Sequence, residues 1–194
     1  PSLKEKVFLV DSSREVIGMG LNSLGQSLNV KDDALLREAT DKLISLTPNV
    51  KAIIGDEITP LMVNNEAAVA LTWSGQAADM LWENEELDFA TPYEGSNIFF
   101  DNMIIPKTSK NVAGAHTFIN FMLDPENAAQ NADYVGYSSP NFAAWELMDE
   151  EVIADERFYP SNEQRDTLEV YENLGLEWLG KYNEYFLEFK MSLK

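Results

Sequence analysis

The chain has 194 residues, 45% of them apolar, and carries 33 acids against 14 bases for a net charge of −19. That balance excludes nucleic acid, whose phosphates need basic neutralisation, and disfavours an anionic membrane surface; a negative field instead concentrates small cations. There is no cysteine and one histidine, His116, so disulfides, thiolate metal sites, cysteine nucleophiles, His-based triads and multi-histidine zinc sites are all excluded.

In chain order, Val7–Val10 predicts a short strand. Ser12 or Ser13 is a candidate cap for a helix from Arg14 through Leu21. Asp32 or Asp33 opens a second helix, with Leu35, Leu36, Ala39, Leu43 and Ile44 at helical spacing. Lys51–Ile54 predicts a second strand, and Thr59–Asn64 a helix with Pro60 in its first turn. Ala67–Trp73 predicts a third strand that turns at Gly75 into a helix. Leu87–Ala90 and Ile98–Ile105 predict further strands, the latter apolar enough to be buried on both faces. Val112–Leu123 and a Pro125-led run to Asp133 predict helices, Tyr137–Asn141 a loop, and residues 162–193 a mainly helical tail broken near Gly175 or Gly180. Alternating strands and helices indicate an α/β fold. The length allows one large domain or two small ones, and no run approaches a membrane-spanning length. The N-terminus lacks both an initiator methionine and the apolar core of a signal peptide, which predicts a mature chain or a fragment.

Asp101 is the most pointed feature. It follows Phe99-Phe100 inside an apolar run, where a carboxylate is costly to bury without a cation and where aromatic faces suit that cation. The plainer alternative is a salt bridge to an internal base. Glu15 lies where a strand hands over to a helix, the edge at which ligands sit in open α/β sheets; it would otherwise simply complement the helix dipole. Trp73 ends a strand beside a glycine turn and either faces a cleft or packs in the core. Tyr137 is a loop aromatic able to line a cleft. Glu15 and Asp101 are alternatively a glycosidase-like carboxylate pair. The acidic run 146–156 reads as a solvated helix face, and its spacing does not match a calcium loop.

The ordered segments Asp11-Ser-Ser-Arg-Glu15-Val, Thr47-Pro-Asn-Val50, Leu71-Thr-Trp73-Ser-Gly75, Ile98-Phe-Phe-Asp101, Ile105-Pro106, Phe118-Ile-Asn-Phe-Met122-Leu123 and Gly136-Tyr-Ser-Ser-Pro-Asn141 resemble the spermidine/putrescine-binding proteins of bacterial polyamine ABC transporters. The resemblance runs the length of the chain. It implies a type II periplasmic-binding-protein fold, two α/β lobes around a cleft, matched here only in its C-terminal portion. Residues 1–100 and 146–194 would form most of the second lobe, and 101–145 the returning part of the first, whose N-terminal half is absent. The resemblance makes Asp101 the main carboxylate for a ligand ammonium, Glu15 a second one, Trp73 the plane over the methylene chain and Tyr137 a pocket wall. Phe99 stands where the best-known member has tryptophan, so it keeps an aromatic wall without an indole donor. Ser12 stands where that member has aspartate, which removes one charge contact. The family also places a polar contact near Tyr171 and Glu172. Implied with these are a non-catalytic role without a metal or cofactor, a polyamine ligand, a membrane permease as partner, and an extracytoplasmic location, soluble or lipid-anchored. Such a fragment would self-associate through its incomplete lobe. A binding protein for another organic cation, such as a quaternary amine, is the nearest alternative.

Overall fold

The computed structural model describes residues 2–193. In chain order they form β1 (Val7–Val10), α1 (Ser13–Asn22), α2 (Asp33–Ser45), β2 (Val50–Ile54), α3 (Ile58–Val63), β3 (Val69–Leu71), α4 (Ser74–Glu83), β4 (Ser96–Asn97), α5 (Val112–Leu123), α6 (Pro125–Val135), α7 (Phe142–Trp145), α8 (Glu150–Ile153), α9 (Asn162–Arg165), β5 (Leu168–Glu169) and α10 (Gly175–Ser192). They divide into two units. The first runs to Ile98 and resumes at Asp166; the second is Phe99–Arg165.

The first unit is built on a parallel sheet in the order β2-β1-β3. A central parallel strand is covered on both faces, and Phe8, Leu9 and Val10 of β1 are accordingly buried. Successive strand residues point to opposite faces. Leu9 packs with Val16, Ile17 and Leu21 of α1, Leu36 and Leu43 of α2, and Tyr182, Phe186 and Phe189 of α10. Phe8 packs with Ile58 and Met62 of α3 and Met80 of α4. Asp32 caps α2 through the amides of Ala34 and Leu35. Ser12 occupies the capping position of α1, yet its hydroxyl makes no capping bond.

Helix α10 closes this face. Arg37 donates two bonds to Glu188, at 2.6 and 2.8 Å, Lys181 reaches Asp33 at 2.5 Å, and Lys190 reaches Asp11 at 2.8 Å. These exposed pairs contribute roughly 0–1 kcal/mol each. Burial of Tyr182, Phe186 and Phe189 contributes about 1.5–3 kcal/mol per side chain and dominates.

A second, two-stranded parallel ladder joins β4 to β5. Its entry needs Gly95, whose φ of +111° places an imagined Cβ 2.7 Å from the Thr167 carbonyl oxygen. Gly95→Ala is expected to destabilise the fold by about 2 kcal/mol or more. Urea denaturation checks this; an unchanged midpoint would show that the β4–β5 ladder adds little.

The second unit is helical among its described residues. Asp124 caps α6, and Gly136 ends it at φ +68°, the left-handed conformation in which glycine is unstrained. Asn141 donates to the Leu123 carbonyl at 2.9 Å, Ser138 to the Phe158 carbonyl, and the Tyr159 hydroxyl to Met148 Sδ at 3.2 Å. Of these, the Ser138 bond ties residues 146–165 to 123–141. The unit spans Phe99–Arg165, whereas the resemblance implied a segment of 101–145.

The α/β class and the order of the first elements match expectation, with three corrections. Leu87–Ala90 is not a strand: Asp88 Oδ1 takes the Phe89 amide and Asn84 Oδ1 that of Glu86, each at 2.9 Å, so local bonds replace a ladder. Ile98–Ile105 is not a strand either, nor is it buried. A strand needs a partner for its amides and carbonyls, and the second unit has no strand among its described residues. The tail is helical at Asn162–Arg165 and again from Gly175, and its break lies before Gly175, at the Leu168–Glu169 strand and the irregular residues 170–174.

Candidate functional site

In a parallel sheet the carboxyl ends of the strands share one edge, and the turns leaving neighbouring strands meet there. β1 leads through Asp11-Ser12 into α1, and its neighbour β3 leads through Thr72-Trp73 into α4. This topology brings the first turn of α1, with Glu15, to the start of α4, with Trp73. Trp73 is the residue before α4 and is half-buried.

Glu15 is half-buried. The Tyr171 hydroxyl donates to its Oε2 at 3.0 Å, and the Trp73 indole lies near enough to favour its charged form. Burial raises the Glu15 carboxyl above the usual carboxylate range; the bond from Tyr171, the Trp73 indole and the charge of Arg14 oppose that rise. Tyr171 is pushed up, first by its own burial and then by the Glu15 charge, so it remains a proton donor. Arg14 makes no direct ion pair with Glu15. Its guanidinium donates to the Leu28 carbonyl at 3.1 Å and to Asn29 Oδ1 at 2.9 Å. The result is a carboxylate steadied by neutral donors, with an indole beside it and no ion-pair partner among the described residues. Ser12, one turn earlier, is half-buried with its hydroxyl unused by the helix.

In the second unit, Phe99 and Tyr137 meet edge to face, with centroids 5.7 Å apart and planes at 86°. Tyr137 is aimed by the left-handed turn at Gly136. Asp101 is exposed rather than buried, and no base among the described residues pairs with it. The internal salt bridge offered as its plainer role is thus not found among them. Beside it, Met103, Ile104, Ile105, Ala115, Phe118 and Ile119 line an apolar depression of about 220 Å³.

The structure therefore brings Glu15 together with Trp73, and Phe99 with Tyr137. Glu15 and Asp101 fall in different units. The acidic run is dispersed: Asp149 caps α8 and Asp155 pairs with Arg157 at 2.7 Å. Among the described residues no group of three or more potential ligands could hold a metal ion. Sequence reasoning gave Tyr171 no firm role and Arg14 none. Their signal lies in long-range pairing, since Tyr171 reaches Glu15 across 156 positions.

The family described as bacterial extracellular solute-binding protein matches residues 2–159. A structure from Listeria monocytogenes, provisionally named as a spermidine/putrescine ABC transporter, is 60% identical with a TM-score of 0.92, covering 97% of this chain and 58% of that one. The spermidine/putrescine ABC transporter substrate-binding protein of Streptococcus pneumoniae is 54% identical with a TM-score of 0.89, covering 99% and 59%. The spermidine/putrescine-binding periplasmic protein of Escherichia coli is 34% identical over 98% of this chain and 54% of its own length. The chain spans about half the length of the curated relatives it matches.

Proposed function

Because this chain belongs to the bacterial extracellular solute-binding proteins, we propose that it forms part of a binding protein that captures polyamines outside the cytoplasm for an ABC importer. The observation that carries the proposal is the half-buried Glu15 carboxylate, held by Tyr171 and faced by Trp73 without an ion-pair partner. A polyamine is a string of ammonium groups joined by methylenes. Carboxylates meet the charges, and aromatic planes cover both cation and chain. A charge-assisted hydrogen bond contributes roughly 1.5–3 kcal/mol and a desolvated cation–π contact about 2 kcal/mol.

The proposed contacts are Glu15, Trp73 and Ser12 from the first unit and Asp101, Phe99 and Tyr137 from the second. No bond is broken in this role, so no nucleophile or general base is assigned. The first unit corresponds to most of the second lobe. Phe99–Arg165 corresponds to the returning part of the first, somewhat longer than 101–145. In a protein of the relatives' full length, further residues would cover the apolar strip at 99–105. The expected partner is the membrane permease of the importer, and the expected location is periplasmic or at the cell surface.

Calorimetry of the full-length protein with spermidine, putrescine and choline tests the proposal. Binding of either polyamine at roughly micromolar Kd or tighter, without competition from choline, is the expected result. Choline binding with no polyamine binding would transfer the site to quaternary amines.

A further inference from the structure

Arg14 is oddly placed for an arginine. It lies in the first turn of α1, where the helix dipole disfavours a cation. It is adjacent to Glu15 in sequence, yet neighbouring helical residues do not face each other. Its head turns toward the loop at residues 28–29 and is clamped between two rings, 4.3 Å from the Tyr171 centroid and 5.0 Å from that of Tyr182. Its Nε is buried without an acceptor, so the guanidinium is oriented by the rings and the loop at the expense of one unmade bond.

Several groups on that head also hold the stretch carrying Tyr171, and Arg14 itself donates to the Glu172 carbonyl at 3.4 Å. Asn29 Oδ1 accepts from Arg14 and from the Glu172 amide, both at 2.9 Å, and its Nδ2 donates to the Val170 carbonyl at 3.0 Å. The Glu169 carboxylate takes the Ser27 hydroxyl at 2.5 Å and the Leu28 amide at 3.3 Å. The Tyr182 hydroxyl donates to the carbonyls of Leu28 and Val30, at 3.2 and 3.0 Å, which sets the far ring. Tyr171 emerges from this frame with its hydroxyl 3.2 Å from the Arg14 carbonyl oxygen and 3.0 Å from Glu15 Oε2.

We propose that Arg14 is a positioning residue for the amine site: clamped between Tyr171 and Tyr182, it holds the Tyr171 hydroxyl on one oxygen of Glu15 and leaves the other to a ligand ammonium. This role deepens the amine-binding function proposed above and rests on it for the ligand, while the positioning of Glu15 can be measured without one. Lysine keeps the charge of Arg14 but lacks the planar fork that stacks and bridges. The charged or titratable groups acting on Glu15 are Arg14 on its own helix and Tyr171, with the Trp73 indole as a neutral donor.

The test is an NMR titration of the Glu15 side-chain carboxyl in the full-length protein, in wild type, Tyr171→Phe, Arg14→Lys and the double variant. Tyr171→Phe is expected to raise the midpoint by about one pH unit, a tenfold change in the protonation equilibrium. Arg14→Lys is expected to give most of that rise despite its retained charge, and the double variant little more. A wild-type midpoint in Arg14→Lys, or full additivity in the double variant, would overturn the proposal. If Arg14→Lys does not fold, Asn29→Ala releases the fork without touching Arg14; a raised midpoint supports the role and an unchanged one overturns it. Calorimetry with spermidine and putrescine separates the two levels. About tenfold weaker binding by Arg14→Lys is expected, and unchanged binding beside a raised midpoint overturns the link to the ligand. Raised midpoints in a protein that binds no polyamine would uphold the positioning of Glu15 and reject the polyamine function.

Discussion

Asp101→Asn and Glu15→Gln, made separately in the full-length protein, are each expected to weaken spermidine binding roughly tenfold to a hundredfold. Each removes one charge-assisted contact of about 1.5–3 kcal/mol while leaving the side-chain shape intact. Stability should respond differently. Asp101 is exposed, so its charge contributes little to the fold. Glu15 has a carboxyl raised by burial. A carboxyl raised on folding stabilises the folded state below its unfolded value, and that contribution is lost as pH rises through the raised folded value. At neutral pH the ionised Glu15 is thus a charge the fold tolerates rather than needs, and Glu15→Gln should be at least as stable as wild type. Binding has the opposite dependence. An ammonium favours the ionised form, so affinity should fall as pH drops through the raised Glu15 value, and this fall should be lost in Glu15→Gln. Calorimetry across pH, with thermal melts of the free protein, checks both. An unchanged affinity in Asp101→Asn would remove that residue from the site.

The second large effect concerns the 194-residue chain by itself, which is expected to self-associate and to bind polyamines weakly or not at all. In the second unit Ile104 is 81% exposed, Phe118 59%, Phe100 57% and Met103 47%. Covering the exposed parts of these four side chains yields on the order of 4–7 kcal/mol, since burying a whole one is worth about 1.5–3. The loss of translational and rotational freedom costs about 4–15 kcal/mol. The balance predicts weak, concentration-dependent association rather than a permanent dimer. Sedimentation velocity should show a shift with concentration, and Ile104→Asp with Phe118→Asp should return the chain to monomer. If the shift survives both substitutions, the apolar strip is not its cause. Tight polyamine binding by a monomeric sample would refute the need for further residues.

The first unit was the more legible in sequence because its signals are local. Apolar runs such as Val7–Val10 mark strands, the helical spacing of Leu36, Ala39 and Leu43 marks α2, and Asp32 announces its cap. The handover at Asp11-Ser12 sufficed to put Glu15 at the strand edge. Errors arose where composition was right but pairing was missing. Ile98–Ile105 has strand chemistry but no ladder partner among the described residues, so Asp101 is exposed where its apolar neighbours promised burial. In Leu87–Ala90 the side chains of Asn84 and Asp88 capture nearby amides first. The Arg14 clamp was invisible for another reason: its rings lie 157 and 168 positions away, a separation no local pattern encodes.

The placement of α10 orders events in time. This helix is synthesised after every element it covers, yet it supplies Tyr182, Phe186 and Phe189 to the core shared by α1 and α2. During synthesis those two helices wait with their apolar faces open while the whole Phe99–Arg165 insertion emerges. Only then does the ring that completes the grip on Arg14 arrive. The Glu15 site on this unit is therefore incomplete until α10 has emerged, and a nascent chain halted before Gly175 should be loosely packed and open to proteases.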